Sequence, residues 1–339
     1  PAGSLMTYNA LLTRTDKALP ARQLAQSLVQ VAVARGAPEQ KLLRGTGIFS
    51  EDLLTAKPIS CNQLQRLCGN ATQHYKGFDL AFQFGHHLVS AFVNDALPYF
   101  THAQNFGEYL RALPSFQTRL YPFVSAFRYD EGDDILLVLQ DAMGSGKQFR
   151  FMAEAYCAAL VALARHCTGK RLALHFSFPF ARPRQIQEYE EGLGFRLAFD
   201  QPFFTIKVAR AELATPCLQP NRMFKQFALR RFLEQREYRV TLLDAVRYHL
   251  RRSSNATLPA IAGELGISPA SLKRKLADHD TTFSLLHDDI RRQQAIYYLQ
   301  VQKLNNEQSA LKMAFTDITN FRRAVKRWTG LTPSQLREA

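Results

Sequence analysis

The 339-residue sequence has no long apolar run. Its best candidates, "ILLVL" at Ile135–Leu139 and "AYCAALVALA" at Ala155–Ala164, fall far short of the roughly 18–20 residues a membrane helix needs. A spanning helix is excluded on that ground, and no membrane partner is expected. Cysteine is scarce: there are five, an odd number, and no CxxC pair. That argues against a disulfide framework or a zinc ribbon, and for reduced thiols in a cytoplasm. The start lacks the charged-then-apolar order of a secretory signal, and "PAGSL" before Met6 reads as a remnant outside the fold. No Ser/His/Asp or paired-carboxylate constellation stands out, so no catalytic residue, enzymatic activity or cofactor is assigned.

Acidic residues are outnumbered, 29 against 43 Lys and Arg, for a net charge of +14. The excess is uneven. Up to Pro220, 22 basic residues face 18 acidic ones, leaving +4; from Asn221 onward, 21 face 11, leaving +10 on barely a third of the chain. A strongly basic segment of this kind is the electrostatic footprint of a polyanion partner, most often nucleic acid.

The pattern along the chain is α+β. Helical periodicity marks "LPARQLAQSLVQVAVARG", "SCNQLQRLCGNATQHY", "DLAFQFGHHLVSAF" and "NFGEYLRALPSF", the last halting before Pro114. Strands are expected at "YPFVSAFRY", "DDILLVLQD" and "KQFRFM", as antiparallel hairpins across "DEGD" and "AMGSG". A helix at "AEAYCAALVALARHC" and strands at "RLALHFSF", "FRLAF" and "FFTIKV" complete a mixed α/β domain with a largely antiparallel sheet. "LATPCLQPN", with two prolines and no periodicity, reads as a linker, and beyond it the chain is nearly all helix. The expected domains are 6–213 for effector binding and dimerisation, 214–239 for linker and helical connector, and 240–339 for DNA binding.

Two segments carry the functional reading. In "TLPAIAGELGISPASLKRKLADHD", Leu258, Ile261, Ala262 and Leu265 share one helical face, Gly266 makes the turn, and Ser268 caps a second helix begun by Pro269. Leu272 and Leu276 point inward, which leaves Ala270, Ser271, Lys273 and Arg274 outward. This is the pattern of a helix-turn-helix, whose second helix enters the major groove. "NNEQSALKMAFTDITNFRRAVKRW" repeats it, with a turn at Ala314–Thr316. At about 100° per residue, Arg322, Arg323, Lys326 and Arg327 fall within an arc of about 140°, with Thr319 in its middle. Phe321, Ala324, Val325 and Trp328 occupy the opposite side. Thr316 is the expected cap, with Asp317 in the first turn, and Gly330 and Pro333 stop the helix. Between the two units, "FSLLHDDIRRQQAIYYLQVQKL" has one apolar stripe, Phe283, Leu286, Ile290, Tyr297 and Val301, and no breaker. About 20 residues at 1.5 Å each give roughly 30 Å, close to one ~34 Å turn of DNA. A connector of that length sets two recognition helices into successive major grooves.

From Val240 to Glu338 the chain resembles the DNA-binding domain of the AraC/XylS family of bacterial transcription regulators. "IAGELGISPASLKRKL" is similar to that family's first helix-turn-helix and "NFRRAVKRWTGLTPSQLRE" to its C-terminal signature. The resemblance implies base-facing positions at Ala270, Lys273 and Arg274, and at Ile318, Thr319, Arg322 and Arg323. The basic arc adds Lys326. Three residues depart from the family: Asn306 and Ser309 replace apolar residues, and Ala314 replaces a turn glycine. Roughly from Arg22 to Asn221, ending in "FFTIKVARAELATPCLQPN", the chain resembles the effector domain of the branch grouped with ornithine- and arginine-utilisation regulators. That implies an α/β ligand domain, not a cupin barrel.

Other chemistries fit poorly. "GSGK" at Gly144–Lys147 lacks the Gly and the Ser/Thr a phosphate loop needs, at Asp141 and Gln148, and reads as a hairpin turn. Neighbouring helical residues diverge by about 100°, so His86–His87 and His166–Cys167 do not chelate readily, and no metal is expected. The 25 phenylalanines are mostly core, though "AFQFGHHLVSAF" and "HFSFPF" are candidate pocket walls. The effector candidates are Arg128, Arg150, Phe82, Phe84 and Phe178. The expected partners are double-stranded DNA, an apolar or amphipathic small molecule (carboxylates included), RNA polymerase and a second copy of the chain. Two alternatives stay open: a ligand-independent regulator whose first domain only dimerises, and an enzyme tethered to DNA by a basic tail.

Overall fold

The computed structural model describes residues 11–55, 57–93, 95–235, 239–253 and 256–338; the expected domain start at Met6 lies outside these residues. Leu12–Thr241 form one compact unit, and the chain from Leu242 onward belongs to a second.

The sheet of the first unit has five strands, ordered Val124–Glu131, Asp134–Asp141, Thr205–Ala209, Leu174–Ser177, Leu197–Ala198. All neighbours are antiparallel except the last pair. Gly132, at φ +53°, turns the first hairpin, where a side chain would be strained. The fold class is therefore α+β, with a largely antiparallel sheet in the first unit and helices in the second.

Four helices cover the sheet and each other: Ala21–Ala34, Cys61–His74, Leu80–Ala91 and Phe149–Thr168. Leu80–Ala91 and Phe149–Thr168 pack closest, at Gly85, where a Cβ would sit 2.2 Å from the Ala155 carbonyl oxygen. All five cysteines are free and buried, and burial pushes the Cys61, Cys68 and Cys157 thiols well up, so none is poised to react.

Three local expectations are corrected. "KQFRFM" is not a strand: after a single 3-10 turn, Phe149 begins the long helix, and Phe149, Met152, Ala153 and Tyr156 continue its inward face at i, i+3, i+4 and i+7. A six-residue run alternates as well as it repeats, and only its continuation decides. The fourth helix does not halt before Pro114; it runs Phe106–Leu120 with the proline inside. Pro114 lies on the exposed side, while Phe106, Tyr109, Phe116 and Leu120 keep an unbroken buried stripe that offsets the roughly 3 kcal/mol a mid-helix proline costs. "GSGK" joins a strand to a helix rather than two strands. Its amides are taken internally: the Asp141 carboxylate accepts from the N–H groups of Met143 (3.1 Å), Ser145 (2.5 Å) and Gly146 (3.2 Å). The anion in this nest is the protein's own.

The helix Arg222–Gln235 packs on the first unit. Phe232 is fully buried with its ring 4.5 Å from that of Phe116, His102 stacks on Phe224 at 5.5 Å, and Lys225 pairs with Glu108.

Candidate nucleic-acid interface

The first helix-turn-helix is built as its sequence dictates. Thr257 Oγ1 accepts from the Ala260 N–H, opening Leu258–Glu264. Gly266 turns the chain at φ +67°. Ser268 Oγ accepts from the Ser271 N–H at 3.1 Å and Pro269 starts the recognition helix Pro269–Ala277. Ile261, Ala262, Leu265, Leu272 and Leu276 are buried between the two helices. Ala270, Lys273 and Arg274 are thereby left exposed, while Ser271 is half-buried with its hydroxyl 2.9 Å from that of Ser268.

The second helix-turn-helix comprises Asn306–Lys312 and the recognition helix Ile318–Thr329. Its cap is Asp317 rather than Thr316: the carboxylate accepts from the Thr319 and Asn320 N–H groups at 3.0 and 3.1 Å. A carboxylate satisfies two orphan amides at once and adds favourable charge at the positive end of the helix. Phe321 and Val325 are fully buried, Ile318 is half-buried, and Thr319, Arg322, Arg323 and Lys326 are exposed. Gly330, at φ +77°, closes the helix.

The connector is α-helical over Phe283–Ile296 and continues as one π turn, Tyr297–Val301. It is a helix throughout, roughly 28 Å at 1.5 Å per residue, with a change of phase that the apolar stripe did not foretell. One turn of it, Asp288 to Arg291, holds the second helix-turn-helix. Asp288 Oδ1 accepts from Trp328 Nε1 at 2.9 Å and lies 3.5 Å from Arg327. Arg291 donates to the Met313 carbonyl at 3.0 Å, below the ring of Phe315.

The three departures from the family separate here. Asn306 Oδ1 accepts from Arg337 at 2.6 Å and so ties down the C-terminal helix Pro333–Glu338. The buried Ser309 hydroxyl has no partner among the described residues. Ala314 sits at φ +56°, a conformation that costs a residue with a Cβ about 1–2 kcal/mol. Ala314→Gly should therefore stabilise the protein by about 1 kcal/mol, once the extra freedom of glycine in the unfolded chain is deducted. Urea unfolding would show a raised midpoint at constant slope; a lowered midpoint would refute the strain at this turn.

Electrostatics mark the outward sides of the two recognition helices. Arg327 is tied to Asp288, but Lys273, Arg274, Arg322, Arg323 and Lys326 have no side-chain partner among the described residues. A merely solvated helix face is usually laced with pairs at i and i+4. This one keeps its charge unneutralised.

In the first unit, three of the five effector candidates meet at Tyr189. Arg150 donates to Glu154 (2.9 Å) and to the Tyr189 hydroxyl (2.7 Å) and covers Phe180 at 3.7 Å. Phe82 and Phe178 lie 4.8 and 5.4 Å from the Tyr189 ring. Burial pushes the Glu154 carboxyl up, against the pull of Tyr189 and Arg150. This is a packed cluster, not a hollow. Phe84 is core, stacked on Phe151 at 6.1 Å, and Arg128 is a surface partner of Asp130. The hollow lies elsewhere: an apolar cavity of about 90 Å³ walled by Phe92, Phe100, Phe116, Tyr121 and Tyr156 among others. Of the two quoted stretches, "AFQFGHHLVSAF" contributes Leu88, Val89 and Phe92 to it; Phe176 and Phe178 of "HFSFPF" are core.

Residues 36–217 match the family model described as the arabinose-binding domain of AraC transcription regulator, N-terminal, and residues 261–339 match a helix-turn-helix domain model. The chain is similar to the ornithine utilization regulator of Pseudomonas aeruginosa, 31% identical over 205 residues, covering 59% of this chain and 60% of that one. It is also similar to the regulator VirS of Mycobacterium tuberculosis, 28% identical over 167 residues, covering 48% and 49%. The chain thus spans 60% and 49% of the length of these curated relatives. Among solved structures, the transcriptional regulator CdpR of Pseudomonas aeruginosa aligns at 20% identity and a TM-score of 0.36, over 76% of this chain and 86% of that one. The first match alone covers more than half of the sequence, and the helix-turn-helix match begins inside the helix Leu258–Glu264 of the first helix-turn-helix: the chain belongs to the AraC family of transcription regulators.

Proposed function

We propose that the protein is a sequence-specific DNA-binding transcription regulator, acting in the cytoplasm under control of a small-molecule effector. The observation that carries this is the set of five unpartnered cations on two separately capped recognition helices. Ala270, Ser271, Lys273 and Arg274 form one reading surface, and Ile318, Thr319, Arg322 and Arg323 the other. Lys326 lies on the phosphate backbone. RNA polymerase is the partner through which occupancy becomes regulation. The effector is apolar or amphipathic, carboxylates included, because the sensor's hollow is lined by apolar side chains. Salt titration tests the DNA reading. With about five phosphates neutralised per protomer, log affinity should fall with log salt at a slope on the order of −4; a flat response would remove it.

A homodimer is supported by the outer face of Arg222–Gln235. Met223, Phe227 and Leu233 are 79%, 64% and 47% exposed there, beside the Arg230–Glu234 pair at i, i+4. Apolar residues left on one stripe of an otherwise packed helix mark an interaction surface. Phe227→Glu should convert dimer to monomer in sedimentation. A variant that stays dimeric would place the interface on another face.

A further inference from the structure

The apolar cavity does not stand alone. Beside it runs a groove of about 520 Å³ lined by the apolar Val89, Val93, Leu97 and Val161 and by the charged Arg165, Arg171 and Glu191. Val89 and Leu97 line both spaces, so a single wall of apolar side chains separates a greasy hollow from two guanidinium groups. Two guanidinium groups against the one carboxylate of Glu191 leave this lining net cationic. His86, also in the lining, is held below its ordinary value by burial and by the neighbouring Arg171 and Arg165, against a hydrogen bond at the Gly192 backbone. Arg171 is committed on one side, donating to the Glu190 and Glu191 carbonyls at 3.2 and 3.1 Å. Arg165 is exposed and its side chain has no hydrogen bond or ion pair among the described residues.

We infer that the cavity and the groove form one effector site for a carboxylate bearing a slender, uncharged hydrocarbon tail. Arg165 and Arg171 receive the carboxylate, and the tail crosses Val89 and Leu97 into the hollow. This rests on reading the first unit as the effector domain. The chemistry divides cleanly. A planar guanidinium matches a carboxylate in two-point geometry, whereas the hollow offers almost no polar surface and rewards only apolar burial. Its volume is below the ~150 Å³ of an apolar cavity that accepts benzene, which favours a chain over a ring system. The site also has a route outward. Phe100 and Phe116 wall the hollow 4.7 Å apart, and Phe116 rests on Phe232 of the helix Arg222–Gln235, the last helix before the DNA-binding unit. A tail that shifts Phe116 shifts the seat of that helix, and the ligand's differential affinity for the two seatings is what drives the change.

The test uses the full chain with octanoate, octanol and octyltrimethylammonium as probes, read by thermal shift and calorimetry, and a duplex selected from a random pool, read by anisotropy. Octanoate should raise the melting temperature, octanol less, and octyltrimethylammonium not at all. Arg165→Glu, on an exposed position, should fold as the parent does and weaken octanoate at least about tenfold, leaving octanol unchanged. Ala159→Phe, which fills the hollow from its wall, should abolish both. Phe232→Leu should bind octanoate yet lose its effect on DNA affinity. Equal responses to octanoate and the cationic probe, or an Arg165→Glu protein that binds octanoate like the parent, would overturn the site. Octanoate binding that persists in Ala159→Phe would overturn the hollow as the tail's place. The parent's DNA affinity is measured without probe in the same series: loss of this site with DNA binding intact refutes only the effector assignment, whereas absent DNA binding refutes the regulator reading itself.

Discussion

Alanine at Arg274 or at Arg323 is expected to weaken binding to a selected duplex by about 1–3 kcal/mol each, and to relax preference at one base position per substitution. Both guanidinium groups stand exposed on the outward side of a capped recognition helix and spend none of their donors on the described residues. The whole bidentate capacity is therefore available to a base edge. The two residues lie on different helices with no shared partner, so the double variant should lose nearly the sum, about 2–6 kcal/mol. Lys326→Ala should behave differently, weakening all sequences alike and reducing the salt slope by about one. Footprints of both arginine variants that match the parent would remove these helices from the interface.

The second large effect is on folding. Gly85→Val should destabilise the first unit by at least about 3 kcal/mol. A Cβ at this position would lie 2.2 Å from the Ala155 carbonyl oxygen and 2.8 Å from the Ala158 Cβ. The first obstacle is helix backbone, so no rotamer change relieves it; the helices Leu80–Ala91 and Phe149–Thr168 must separate. Separation would also open the aromatic cavity, whose walls come from both. Circular dichroism on heating and loss of any probe-induced thermal shift would report it. A valine variant that melts with the parent would show that the two helices do not need their close approach.

The recognition helices were legible in the sequence because everything that builds them is local. Ser268 caps three residues ahead, Gly266 and Gly330 take left-handed backbone that glycine adopts without strain, and the division of Phe321 and Val325 from Arg322, Arg323 and Lys326 is a matter of 100° steps. Even the misassigned cap, Thr316 for Asp317, moved one residue without moving the helix. The unusual Ala314 was visible as well, although its strain was not: that required its φ.

The sensor was legible only in outline. "KQFRFM" fits either period until the helix beyond it is built, Pro114 is tolerated because its side of the helix meets solvent, and the amides of "GSGK" are spent on Asp141 by a loop geometry that no spacing rule encodes. The effector candidates named from composition went to a packed cluster around Tyr189 and to the surface, while the hollow drew its walls from Leu88–Leu97, Phe100–Tyr121 and Tyr156–Leu163. Sequence alone thus determined the two helix-turn-helices, where amphipathic period, cap and turn are fixed within a few residues of each other. Tertiary structure alone decided where the sensor is hollow and which arginines stand beside it, because a cavity is a mismatch among helices far apart in the chain, and its volume depends on how all of them pack at once.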